Sequence, residues 1–196
     1  MAAARKVFVE KGYDGARMQQ IADRAGANKA MIYYYFNSKD ALFEAIIRDI
    51  FKKLFRIYQS VLQLEDVDLK TMITTIVHQH LIFLQNHPEV ARLFLREVHS
   101  DNPILRKVMN ELHHDSARKD IRAVMKKFEK AADDGIMRRV DPMNTIWNII
   151  GLDLFYFVSK PLIHVLWAKE TRNEAKVMQA REESIVDLLL NGLLPR

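Results

Sequence analysis

Residues 18–36 read MQQIADRAGANKAMIYYYF, and this stretch decides the fold. Ile21, Ala22 and Ala25 fall at i, i+1 and i+4, a spacing that predicts a short helix with a small apolar face. Gly26 supplies the backbone freedom to end that helix and turn the chain at once. Asn28 is a good N-cap for a second helix, whose inner face would be Ile32 and Phe36 with Tyr33 packed beside them. Two short helices joined by a glycine turn form a helix-turn-helix, the layout in which the second helix lies in the DNA major groove.

Working outward, a first helix over 2–11 ends at Gly12, with Val7 and Phe8 facing the core. Ser38 is a fresh N-cap, and Asp40 sits well against the dipole of the helix it opens. From Leu42 to Leu62 apolar residues recur every three or four positions, which predicts a long amphipathic helix. After a break at 64–68, helices are expected over 69–85 and 89–99. Another follows from 102 to 132, with a break near 113–116. Asp141-Pro142 opens an apolar helix that Pro161 kinks or ends, and a last helix runs from 173 to 190, with Gly192 just past it. No strand, internal repeat or low-complexity tract is legible. The expectation is an all-α chain of about nine helices. A three-helix helix-turn-helix domain (1–50) is linked by the long helix to a C-terminal helical bundle (51–196).

Nearly half the 196 residues are hydrophobic, while Gly (6) and Pro (5) are scarce, which favours long helices over a turn-rich β fold. With no cysteine, disulfides and thiolate metal sites are excluded. No secretory segment is legible, and the most apolar stretch, 146–158, is interrupted by Asn148 and Asp153 and is too short to span a bilayer. A cytoplasmic protein without a membrane partner is expected. The net charge of +5 is unevenly placed. Residues 1–53 hold ten basic and six acidic side chains, so the excess sits with the helix-turn-helix, where a polyanion would bind.

Phe8, Lys11-Gly12-Tyr13, Ile21-Ala22, Ala25-Gly26, Ile32-Tyr33, Tyr35-Phe36, Lys39 and Leu42 together resemble the TetR family of transcriptional regulators. The resemblance covers about the first 50 residues. Asp141-Pro142, Gly151 and Phe155-Tyr156-Phe157 resemble a late helix of such proteins. It implies a homodimer bound to a palindromic operator in double-stranded DNA and released by a small, largely apolar effector. The start of the second helix, from Asn28, would face bases, with Lys29 donating to guanine and Ala30 and Met31 meeting thymine methyls. Tyr34, Tyr35 and Lys39 match phosphate-contacting positions, Lys39 beside free N–H groups at the start of the long helix. Tyr33 is expected to pack, with its ring edge at the groove. Ala16 stands where the family commonly has a capping Ser or Thr. Asp14 is the alternative cap, and Arg17 takes the phosphate role. The chain begins at its first helix, so a minor-groove arm is not expected.

Four neighbouring aromatics on a helix cannot all face one core, so at least one of Tyr33, Tyr34 and Tyr35 is exposed. Asp153, a carboxylate inside a very apolar helix, is costly unless paired or exposed. A ligand cavity, an arginine partner and the edge of a dimer interface are all open to it. The Met and aromatic stripe is mostly core, with Phe83, Met109, Met125, Trp147 and Tyr156 expected to line the effector cavity beside Asp153. The helices over 142–160 and 173–190 are too apolar for one solvent-facing layer and are the expected dimer surface. His78 and His80, two apart, point to different faces. His113-His114-Asp115 is a tempting metal cluster, but adjacent histidines diverge on a helix, so no metal or other cofactor is expected. No nucleophile–base pair, phosphate loop or paired-carboxylate motif points to an enzyme. The rival reading is a ligand-independent dimer that only binds DNA.

Overall fold

The computed structural model describes residues 1–64, 68–114 and 116–195, and side chains outside 113–118. The described residues form ten helices and no strand. They are α1 (Ala2–Gly15), α2 (Met18–Ala25), α3 (Lys29–Phe36), α4 (Lys39–Leu62), α5 (Leu69–Asn86), α6 (Pro88–His99), α7 (Pro103–His114), α8 (Ser116–Asp133), α9 (Pro142–Leu166) and α10 (Glu174–Leu193). The count exceeds the expected nine because the stretch after Pro103 forms two helices, α7 and α8. The break at 64–68 falls largely on residues outside the description.

Two compact units divide the chain: residues 1–53 with 87–117, and residues 54–86 with 118–196. Each half of α4 therefore belongs to a different unit. Helices α6 and α7 pack with the N-terminal helices, an association that no local sequence pattern announces.

In the first unit α1 packs on α2 and α6, and α2 on α3. Phe8 and Phe43 are fully buried and meet edge to face at 4.9 Å, with Tyr13 5.0 Å from Phe43. Ile21, Ala22, Ile32, Leu42 and Ile46 complete this core, each burial worth about 1.5–3 kcal/mol for the larger side chains. Ala25, expected on the apolar face of α2, is its last residue and is exposed. Gly12 is where α1 breaks: its φ of 73° is left-handed, and one further turn follows to Gly15. Arg96 on α6 closes over that break, donating to the Lys11 carbonyl at 3.1 Å. The buried Glu97 carboxylate accepts the Tyr13 N–H at 3.2 Å. Arg5, also buried, pairs with Asp49 at 3.1 Å and Glu89 at 3.2 Å.

In the second unit α5 packs against α9 and α10. Met72, Ile73, Ile76, Val77, Phe128, Ile149, Phe157 and Ile185 are buried there. Asp141 caps α9 as expected, accepting from the Met143 N–H at 2.8 Å. Pro161 does not end α9, which continues to Leu166. Proline removes one N–H but leaves the following turns free to bond. The apolar segment is thus 25 residues, long and apolar enough to cross a membrane by length and composition, which corrects the shorter span read from sequence. Asp153 on it is nonetheless buried among helices of the bundle. Gly192, expected beyond the last helix, lies within α10.

Candidate nucleic-acid interface

The interface begins at the turn. Gly26 adopts φ 61°, ψ 31°, and the Ala27 N–H reaches back to the Ala22 carbonyl at 3.0 Å, closing α2. Asn28 then caps α3, its Oδ1 accepting the Ala30 N–H at 2.9 Å. Only Ile32 of α3 is buried, and Phe36 is half-buried. Everything else on the helix faces outward: Lys29, Ala30, Met31, Tyr33, Tyr34 and Tyr35. Tyr34 and Tyr35 are 80% and 69% exposed, their rings 5.3 Å apart at a near-perpendicular angle. Tyr33 does not pack inward as expected. It is exposed beneath the Lys29 ammonium, which lies 5.9 Å from its ring centroid. An eight-residue helix has room for one inward stripe, and Ile32 and Phe36 take it.

The flanks differ from expectation at two residues. Arg17, exposed, is the N-cap residue of α2, and the Gln20 side chain accepts its N–H at 3.1 Å. Asp14 lies within α1, so it is not the cap. Lys39 does not extend freely toward a phosphate. Its ammonium donates to the carbonyls of Ala16 at 3.1 Å and Asp14 at 3.4 Å, and sits 4.4 Å from the Tyr13 ring centroid. Carbonyls orphaned where α1 ends attract the nearest cation. Ser38 caps α4 as expected, its Oγ accepting from the Ala41 N–H at 3.0 Å. Tyr13 donates its hydroxyl to Asp40 at 2.5 Å, and burial together with that carboxylate pushes its pKa well above the usual tyrosine range.

The six residues expected to line an effector cavity fall on four helices, α5, α7, α8 and α9. Met109 is 39% exposed on α7, in the first unit, and Trp147 is 58% exposed on α9. Trp147 borders an open groove of about 780 Å³ between the faces of α9 and α10, with Asn148, Leu152, Leu188 and Leu189. Phe83 is buried on α5 and Met125 half-buried on α8. Asp153 and Tyr156 are both buried, one turn apart on α9. Around them stand three residues that sequence reasoning missed. His80 lies 3.0 Å from Asp153, Tyr58 meets the His80 ring at 5.7 Å, and Arg181 has its guanidinium 5.9 Å from the Tyr156 ring. The signal for His80 was present, since it falls one turn from Ile76, Val77 and Leu84 on the buried face of α5. Burial pushes the Asp153 pKa up, opposed by the hydrogen bond from His80 and the charge of Arg181. His78, on another face as expected, pairs with Glu182 at 2.9 Å. Among the described residues no group of three or more His, Asp or Glu is placed to hold a metal. His113-His114-Asp115 lies outside the described side chains.

A three-helix unit that turns at Gly26 and offers the outer face of α3 to solvent defines a helix-turn-helix DNA-binding protein. Residues 1–46 match the family described as "Bacterial regulatory proteins, tetR family", and residues 48–196 match "YcdC-like protein, C-terminal region". The chain belongs to the TetR family of transcriptional regulators. It is similar to the HTH-type transcriptional regulator RutR of Escherichia coli K12, at 28% identity over all of this chain and 89% of RutR. Its fold is that of the TetR-family regulator PfmR from Thermus thermophilus, with a TM-score of 0.70 at 20% identity over 96% and 95% of the two chains. It is also that of AibR, solved with isovaleryl coenzyme A and operator DNA, with a TM-score of 0.67 at 16% identity over 95% and 93%.

Proposed function

We propose that this regulator acts in the bacterial cytoplasm as a homodimeric repressor whose two α3 helices read a palindromic operator. Residues 1–50 would bind DNA, and residues 51–196 would dimerise and take a small effector that releases the complex. The observation that carries the reading is the outer face of α3, where six residues, three of them tyrosines, are exposed on a helix held by one buried side chain. Aromatic rings clustered on an exposed face mark an interaction surface. Lys29, Ala30 and Met31 lie at the start of the helix, where bases are read, with Asn28 beside them. Tyr34, Tyr35 and Arg17 serve as phosphate contacts that fix register. Lys39 braces the turn before α2, and the N-terminus of α4 beside it offers N–H groups and dipole to a phosphate.

The dimer reading is supported by α9 and α10. Trp147, Phe155, Leu162, Val165, Leu166 and Leu188 are all more than half exposed, on helices whose opposite sides form the bundle core. So large an apolar face calls for a cover, and a second copy supplies one with two-fold symmetry. Two heads would then meet half-sites about 34–36 Å apart, or a multiple of that. Effector binding by a DNA-binding regulator of this fold is supported by AibR, which has been solved with isovaleryl coenzyme A and operator DNA. Release requires that the effector bind one dimer geometry more tightly than the other. Measuring DNA binding of Lys29→Ala tests the reading at its base. Relaxed base preference is expected, and unchanged preference would remove α3 from the reading role.

A further inference from the structure

Lys29 and Tyr33 stand one turn apart on α3 and meet, the ammonium 5.9 Å from the ring centroid. Among the described residues no hydrogen bond or ion pair holds that ammonium, and α3 carries no acidic side chain. Lys39 differs, since the carbonyls of Asp14 and Ala16 hold its ammonium. Each step along a helix turns about 100°, so Lys29 falls beside the inward stripe of Ile32 and Phe36. Tyr33 falls one step further round toward solvent, and at 39% exposed it is the least exposed of the three tyrosines. Its ring spans the edge between core and open face, and it draws the Lys29 ammonium round to that face.

We propose that Tyr33 is a positioning residue for base recognition: its ring holds the Lys29 ammonium on the open face of α3, where the ammonium donates to guanine. The proposal rests on the reading of Lys29 as a guanine donor and names the residue that aims it. A free lysine side chain turns about four single bonds, and the freedom it loses on binding counts against affinity. A ring that preselects the outward rotamers removes part of that loss. Both side chains are open to water, so the ammonium keeps its N–H donors for O6 and N7 of the base. The attraction comes from the face of the ring and not from its hydroxyl. Phenylalanine preserves it, and leucine does not.

Selection from randomised duplexes with the native chain and with Lys29→Ala finds the guanine that Lys29 contacts, as the base whose preference the variant loses. Affinity for that duplex and for one with adenine in its place then gives each chain a discrimination ratio. Tyr33→Leu is expected to lower the ratio about threefold, the size of an exposed cation–π contact, and Tyr33→Phe to keep the native ratio. Tyr33→Leu should lower it no further in a chain that already carries Lys29→Ala, since the ring acts through the lysine. Tyr33 is exposed, so thermal unfolding should find every variant folded with a near-native midpoint. A native ratio in Tyr33→Leu would overturn the proposal. So would an equal loss in Tyr33→Phe, the result expected if the hydroxyl touches DNA directly, or a further loss in the double variant. Unchanged base preference in Lys29→Ala removes the guanine reading and the proposal with it. Relaxed preference there, beside an unaffected Tyr33→Leu, removes the role of Tyr33 alone.

Discussion

At the scale of single residues, the structure separates side chains that hold the fold from side chains that wait for a partner. Tyr34 and Tyr35, strongly exposed, touch little but each other. Replacing either with Ala should leave the unfolding midpoint in denaturant unchanged, within about 0.5 kcal/mol, while weakening DNA binding several-fold. Lys39 behaves otherwise, because its ammonium ties the start of α4 to the carbonyls of Asp14 and Ala16. Lys39→Ala should cost about 1 kcal/mol of stability and weaken binding to every DNA sequence alike, measured by urea titration and by anisotropy at two salt concentrations. Gly12 is the most exacting position of α1. A Cβ there would stand 2.6 Å from Arg96 Nε, on a backbone with φ of 73°. Gly12→Ala should therefore lose about 1–3 kcal/mol in the same titration.

At the scale of elements, α3 and α9 show what sequence could and could not tell. The Asn28 cap, the glycine turn and the buried Ile32 were legible, because each is a local rule read from neighbouring residues. The exposure of Tyr33 was not, since it depends on how much of an eight-residue helix its neighbours cover. For α9 the start at Asp141-Pro142 was legible, but its run past Pro161 depends on the turns that follow the proline. The pairing of Asp153 with His80 joins residues far apart in sequence, so periodicity placed each on a buried face without bringing them together. That pair carries a pH signature. Burial raises the Asp153 pKa in the folded chain, where His80, Arg181, Glu182 and Tyr58 surround it. Its contribution to stability is therefore complete below the unfolded value near 4 and is lost as pH rises through the folded value. Asp153→Asn, which cannot ionise, should gain stability relative to the native chain as pH climbs above about 4, measured by denaturant unfolding across that range.

At the scale of the whole molecule, the chain is a TetR-family regulator in which one continuous helix, α4, contributes to both compact units. The all-helical architecture and the DNA-binding head were legible because amphipathic spacing and a dense motif over the first 50 residues carry them. The grouping of 87–117 with the head was not, since it is decided by long-range packing. If the apolar faces of α9 and α10 close a dimer, sedimentation should find two chains per particle, and Phe155→Glu should give a folded monomer with much weaker DNA binding. Whether the outer face of α3 reads a symmetric DNA site is decided by selecting genomic fragments with the purified chain and repeating the selection with Lys29→Ala. Fragments that share a palindrome are expected, with a palindrome less sharply defined for the variant. Fragments with no common two-fold site, or the same sharply defined site for both proteins, would contradict a reading role for α3.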